Sequence, residues 1–159
     1  MKKIVALLLV VVLVMASAFA FSFLSLGIET GGSFRGRCDG VYLSGDMEII
    51  DNLDVYVRLG YSNAVNLSFG GQYKVTDFKL DGTKIDFKPG MQLGFDFGDG
   101  FFVFKALATT QFSYDTGHLR AFLRPGFGIS VLSWKTSGSS RSSDTDFEVV
   151  VETGVAYLF

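Results

Sequence analysis

The chain is poor in the residues from which most active centres are built. Its 159 residues hold one cysteine, one histidine, one tryptophan and two prolines. A lone thiol, Cys38, cannot form an internal disulfide. It sits in Phe34-Arg35-Gly36-Arg37-Cys38-Asp39, where two arginines would favour its thiolate. The simpler reading is an incidental loop cysteine. No zinc spacing and no phosphate-cradling loop occurs, so neither metal nor cofactor is expected. The single His118 lies at a turn near Ser113 and Asp115, but Leu119-Arg120 follows it and no His-x-Ser motif is formed. Nucleophilic catalysis by a His–Ser pair with an orienting carboxylate is therefore disfavoured, and no catalytic residue is assigned.

Long apolar runs are also missing, except at the start. Lys2 and Lys3 precede an uncharged stretch from Ile4 to Met15, followed by Ala16-Ser17-Ala18-Phe19-Ala20. This is the pattern of a secretion signal cleaved after Ala18 or Ala20. The rival reading, a membrane anchor, needs a longer apolar run to cross about 30 Å. No lipobox cysteine follows, so no lipid anchor is expected. The expected organisation is a signal over residues 1–20 and one domain over residues 21–159. Removing the signal takes away two lysines and no acids, moving the formal charge from −2 to −4. That mild acidity argues against nucleic acid as a partner.

What remains is a two-residue rhythm. Apolar side chains recur at every second position in blocks of about ten, the pattern of half-buried strands. Eight strands are predicted, near 23–34, 41–49, 53–62, 65–75, 85–97, 102–112, 119–131 and 147–159. Tight turns fall at Asp51-Asn52, near Asn63, at Gly98-Asp99-Gly100 and over Ser113–Gly117, with a Ser-rich break from Lys135 to Asp146. Between Val75 and Ile85 the apolar parity slips. Asp81-Gly82 is a good hairpin turn there, so a bulge or a protruding hairpin is expected. Pro89 and Pro125 each remove a ladder donor and are expected near strand starts or bulges.

Alternation alone does not say which face is inside. Three features decide it. The polar face is crowded with glycine (Gly27, Gly60, Gly70, Gly90, Gly94, Gly126, Gly128, Gly154), which suits the narrow interior of an eight-stranded barrel better than a wetted surface. The same face balances acids Glu29, Asp46, Glu48, Asp54, Asp86, Asp96, Glu148 and Glu152 against bases Arg58, Lys74, Lys88, Lys105, Arg120 and Arg124. Buried charges need partners, and an interlocking network supplies them. Aromatic residues of the apolar face gather at two levels, Tyr73, Phe87, Phe112, Tyr157 and Phe159 at one, Tyr61, Phe97, Trp134 and Phe147 at the other, as girdles at two membrane–water interfaces do.

The fold class read from this pattern is all-β, a closed antiparallel up-and-down transmembrane barrel. Closure follows because an open edge in lipid leaves backbone groups unpaired. Strand one must then pair with strand eight, with both termini on the periplasmic side.

At this point the chain resembles the small outer-membrane β-barrels of the OmpA/OmpX type. The resemblance rests most on the last strand, Val149-Val150-Val151-Glu152-Thr153-Gly154-Val155-Ala156-Tyr157-Leu158-Phe159, and less on Arg124-Pro125-Gly126-Phe127-Gly128-Ile129. It implies an outer-membrane location and partnership with membrane lipids. It also implies recognition of Tyr157 and Phe159 by the barrel-assembly machinery. The outward connections are shorter than is common in the family, which weakens an adhesin-like role, and no surface ligand is specified.

The expected function is a non-enzymatic structural or surface-interaction barrel with a charge-plugged lumen. The alternative is a narrow conduit for small or apolar molecules, as in OmpW-like relatives, with Tyr56 and Phe122 as gate candidates. A lipid-modifying enzyme built around His118 is the weakest reading.

Overall fold

The alternating blocks all become strands. The computed structural model describes residues 25–33, 40–62, 64–135 and 141–159, with the side chains of residues 134, 135, 141 and 142 outside that description. The proposed signal, the Phe34–Asp39 connection with Cys38, and Asn63 therefore lie outside the described residues.

Nine strands follow in chain order among the described residues. They are β1 Ser25–Ser33, β2 Gly40–Ile50, β3 Leu53–Tyr61, β4 Val65–Tyr73, β5 Thr76–Leu80, β6 Thr83–Phe97, β7 Phe101–Thr116, β8 Leu119–Lys135 and β9 Arg141–Leu158. Eight of them close into a barrel. Each pairs antiparallel with its neighbour, β4 passes directly to β6, and β1 pairs with β9 from Ser25↔Leu158 to Ser33↔Val150. β5 stands outside the ring and pairs only with the start of β6.

The pairing registers also fix the stagger. From Ser25 the ladder runs to Asp46, Tyr56, Gly70, Gln92, Leu107, Gly128 and Glu148. Glu148 is ten residues along β9 from Leu158, the partner of Ser25 on the other side. An eight-stranded barrel with a shear of ten has steeply tilted strands, at about 35–45°, and an interior filled by side chains.

Sidedness follows the sequence reading. Arg58, Arg124, Glu29, Tyr56 and Gln111 are among the most buried side chains, whereas Ile28, Leu43, Met91, Phe127 and Val155 are exposed. The glycines of the inner face have a specific use. Tyr42, Tyr56 and Phe122 each lie across the glycine directly opposite on the next strand, respectively Gly60, Gly70 and Gly154. A Cβ on Gly70 would stand 2.1 Å from Tyr56 Cζ, and one on Gly60 2.3 Å from Tyr42 Cδ1. Each ring needs a glycine floor to lie flat in so narrow a lumen.

Gly128 is tighter still. A Cβ there would meet the Ala106 carbonyl oxygen at 2.0 Å and Leu107 Cα at 2.8 Å, both backbone atoms that cannot rotate away. Gly128→Ala is therefore expected to lower stability by about 1–3 kcal/mol, the usual cost of overpacking. The midpoint of urea unfolding in lipid vesicles measures it, and an unchanged midpoint would show that β7 and β8 can part at no cost.

Several local expectations are corrected. β7 runs on through Ser113 to Thr116, so the turn is shorter than expected and centres on Gly117. β9 begins at Arg141, so much of the Ser-rich stretch is strand, paired to β8 as far as Lys135↔Arg141. The parity slip near residue 80 is a protruding hairpin, with Asp81 and Gly82 both at positive φ. Pro89 lies inside β6 rather than near its start. It sits where β6 changes partner, after β4 pairing ends at Gly90 and before β5 pairing begins at Phe87. A residue without an N–H is well placed at such a break. The Trp134 side chain, assigned with Tyr61, Phe97 and Phe147 to one of the two aromatic levels, lies outside the described residues.

Candidate functional site

The barrel places the inward charges in three tiers. The middle tier is a quartet. Arg58 Nε lies 2.9 Å from Glu29 Oε2, and Arg58 Nη1 is in contact with Glu152 Oε1. Arg124 Nη1 lies 3.1 Å from Glu29 Oε2 and 3.2 Å from Glu152 Oε2. Two guanidinium groups and two carboxylates thus share one another across strands far apart in sequence. Neutral groups complete the pairing. Arg124 donates from Nη2 to Gln111 Oε1 at 2.8 Å, Tyr56 donates to Gln92 Oε1 at 2.8 Å, and Gln92 Nε2 donates to Glu152 Oε1 at 3.2 Å.

The aromatic rings cap this quartet. Arg58 stacks over Tyr42 with Cζ 4.2 Å from the ring centre, and Arg124 over Tyr56 at 4.1 Å and Phe122 at 4.8 Å. A planar guanidinium can pair in its plane and stack on its face at once, which an ammonium cannot. The arginines, not the lysines, accordingly occupy the centre.

Toward the termini, Lys88 pairs with Asp54 at 2.5 Å, Lys74 with Asp86 at 2.7 Å, and Arg120 with Asp46 at 3.3 Å and Asp115 at 2.9 Å. Ser25 donates to Asp46 at 3.0 Å. Toward the opposite end, Lys105 pairs with Asp96 at 3.0 Å and stands 3.5 Å from Glu148. Asn66 donates to Asp96 at 2.7 Å. A cavity of about 20 Å³ beside Glu148, Asn66 and Tyr42 has room for about one water.

Of the fourteen charged residues assigned to the lumen from sequence, eleven are buried inside it, and Lys74 and Asp86 are half-buried at its mouth. Glu48 is the exception. It is exposed at the mouth, where it accepts the Asn52 N–H at 2.9 Å and closes the β2–β3 turn. A register shift between Glu48 and Ile50 marks the same spot. Parity put Glu48 on the inner phase, but parity does not tell depth. Sequence reasoning also left out Gln92, Gln111, Asn66, Asp115 and Tyr42 as partners. The first four are polar, and all but Asp115, which fell in the expected Ser113–Gly117 turn, lie on strands already assigned, so their inward phase was the available signal.

His118, Ser113 and Asp115 do not converge. His118 stacks on Tyr157 at 5.7 Å, Asp115 is held by Arg120, and Ser113 is buried in the lumen. Tyr157 and Phe159 pack edge to face, 5.4 Å apart, at the terminal rim.

Among the described residues, the outer wall carries a groove of about 530 Å³, left by Gly45 and Gly71 among Met47, Val55, Val57, Phe69, Met91 and Leu93 and backed by Gly70 and Tyr56.

With closure, stagger and sidedness established, the fold can be compared with solved ones. The chain is similar to the de novo designed protein TMB2.3, known from a solution NMR structure, at TM-score 0.55 and 12% identity over 87% of this chain and 94% of that one. This is an outer-membrane-type eight-stranded barrel fold. A looser likeness, at TM-score 0.36 and 13% identity over 85% and 94% of the two chains, connects it with the crystal structure of Neisserial surface protein A. No family profile and no curated protein matches the chain.

Proposed function

We propose that this protein is a non-enzymatic integral outer-membrane barrel with a structural or surface-interaction role and a lumen sealed by its charge network. One observation carries the reading. The Glu29–Arg58–Glu152–Arg124 quartet, with Tyr42, Tyr56 and Phe122 against it, spans the inside of the barrel at mid-height, and its charged members are about 99% buried except Glu152 at 94%. Net charge within the quartet is zero, so it presents no excess charge to draw an ion of either sign.

Location follows from the wall. Exposed Leu, Ile, Val, Phe and Met around a closed strand cylinder suit lipid and do not suit water. Export would use the signal over residues 1–20, and the terminal Tyr157 and Phe159 would engage the assembly machinery.

The conduit reading has one observation in its favour, the wall groove that backs onto Tyr56. Opening it requires Tyr56 to leave its glycine seat, its bond to Gln92 and its stack with Arg124 together. The sealed reading is therefore preferred. In planar bilayers the purified protein is expected to give no stable conductance step, and none induced by moderate voltage. A reproducible open level in most insertions would refute the sealed lumen.

A further inference from the structure

The hairpin formed by β5 and the first residues of β6 projects beyond the ring, joined to it where Asp86 and Phe87 also pair with β7. Every residue of β5 is exposed. Its pairs sort cleanly by face. Phe78↔Ile85, Leu80↔Thr83 and Thr76↔Phe87 lie on one side, and Asp77↔Asp86 and Lys79↔Lys84 on the other. The charged side is tied to itself and to the rim, with Lys84 3.2 Å from Asp77 and Lys74 2.7 Å from Asp86. The apolar side is open, with Phe78 41% and Leu80 63% exposed, and Val75 beside them also exposed.

This apolar side is an extension of the outer wall. The phase of Ile85 and Phe87 continues without a break into Met91 and Leu93 along β6. Phe112 joins the two surfaces, its ring 5.5 Å from Phe87 and 6.4 Å from Phe78. Tyr114, two residues further along β7, is exposed toward the same rim.

We propose that this hairpin is a membrane-interface paddle, with Phe78, Leu80, Val75 and Ile85 seated at the acyl–headgroup boundary of the leaflet on the side of the chain's C-terminus. The inference rests on the membrane reading of the wall. Three points select lipid as the occupant. The face is continuous with a surface of the same composition, so no boundary separates it from what covers the wall. The facing charges are already paired, so they offer little to a polar partner. Four apolar side chains also fall well short of the roughly 800 Å² per partner that a stable protein interface buries, whereas a lipid boundary sets no such minimum. Aromatic and aliphatic side chains with a charged opposite face are what interfacial segments present.

The test uses single-tryptophan variants of the full barrel in a Trp134→Phe background, refolded into phosphatidylcholine vesicles with and without brominated acyl chains. Phe78→Trp and Leu80→Trp are expected to give blue-shifted emission that loses most of its intensity in shallow-brominated lipid and resists aqueous iodide. Lys79→Trp, on the opposite face, is expected to behave the other way. Met91→Trp reports on the wall itself. If it is quenched by bromolipid while Phe78→Trp is red-shifted and open to iodide, the paddle is overturned and the membrane barrel stands. Blue-shifted Phe78→Trp emission that bromolipid leaves unquenched overturns it in favour of contact with another protein surface. If Met91→Trp escapes bromolipid as well, the membrane reading fails and the paddle with it.

Discussion

Arg124→Met is expected to destabilise the barrel by about 3–5 kcal/mol, because it removes one partner of a buried ion network and leaves the others in place. Arg124 is about 1% exposed and touches Glu29, Glu152, Gln111 and the rings of Tyr56 and Phe122. Without it, Glu29 and Glu152 face a single guanidinium, that of Arg58, and the Gln111 carbonyl oxygen loses both of its donors. Adding Glu152→Gln to Arg124→Met restores charge balance and is expected to recover a large part of the loss, since removing both members of a buried pair costs far less than removing one. Urea unfolding in vesicles, or the temperature of the heat-modifiable gel shift, reads both. A single variant within about 0.5 kcal/mol of wild type, the range of an ordinary surface change, would mean that water fills the lumen and screens these charges.

Met91→Arg tests the other face. Met91 is 69% exposed, on the outer phase midway along β6, paired with Gly71 and Ala108. An arginine facing lipid near the bilayer midplane costs about 2–4 kcal/mol, against about 0–1 near the interfaces. Tyr61→Arg, at the end of β3 and equally exposed, is the rim control. The expected result is a large loss for Met91→Arg and a small one for Tyr61→Arg. A barrel surrounded by water would treat the two alike and tolerate both. Equal, small effects would therefore remove the membrane location while leaving the fold untouched.

The two experiments probe opposite faces of the same barrel wall, and that division was open to reading from sequence because strand side chains alternate. Arg58 between Val57 and Leu59, or Arg124 between Leu123 and Pro125, cannot share a face with its neighbours. Even the failure near residue 80 was visible as a slip in phase, though choosing between a bulge and a hairpin needed the partners of β6. Depth along the barrel was not visible. Glu48 has the same phase as Asp46, yet two residues carry it from the interior to the mouth, where solvent replaces the need for an ionic partner. Turn lengths were misjudged for a related reason. Ser113, Ser142 and Ser143 look like loop residues, but ladder pairing with long neighbouring strands holds them extended.

The amino-acid order by itself determined the periodicity, the choice of inner and outer face, and the inventory of charges and glycines, since each depends only on which residues lie two apart. The tertiary structure alone decided which charges meet. Glu29 and Arg124, 95 residues apart, and Arg58 and Glu152, 94 apart, become partners through a stagger of ten around eight strands. That stagger belongs to the closed ring, set by pairing between distant strands, and no local stretch of the chain encodes it.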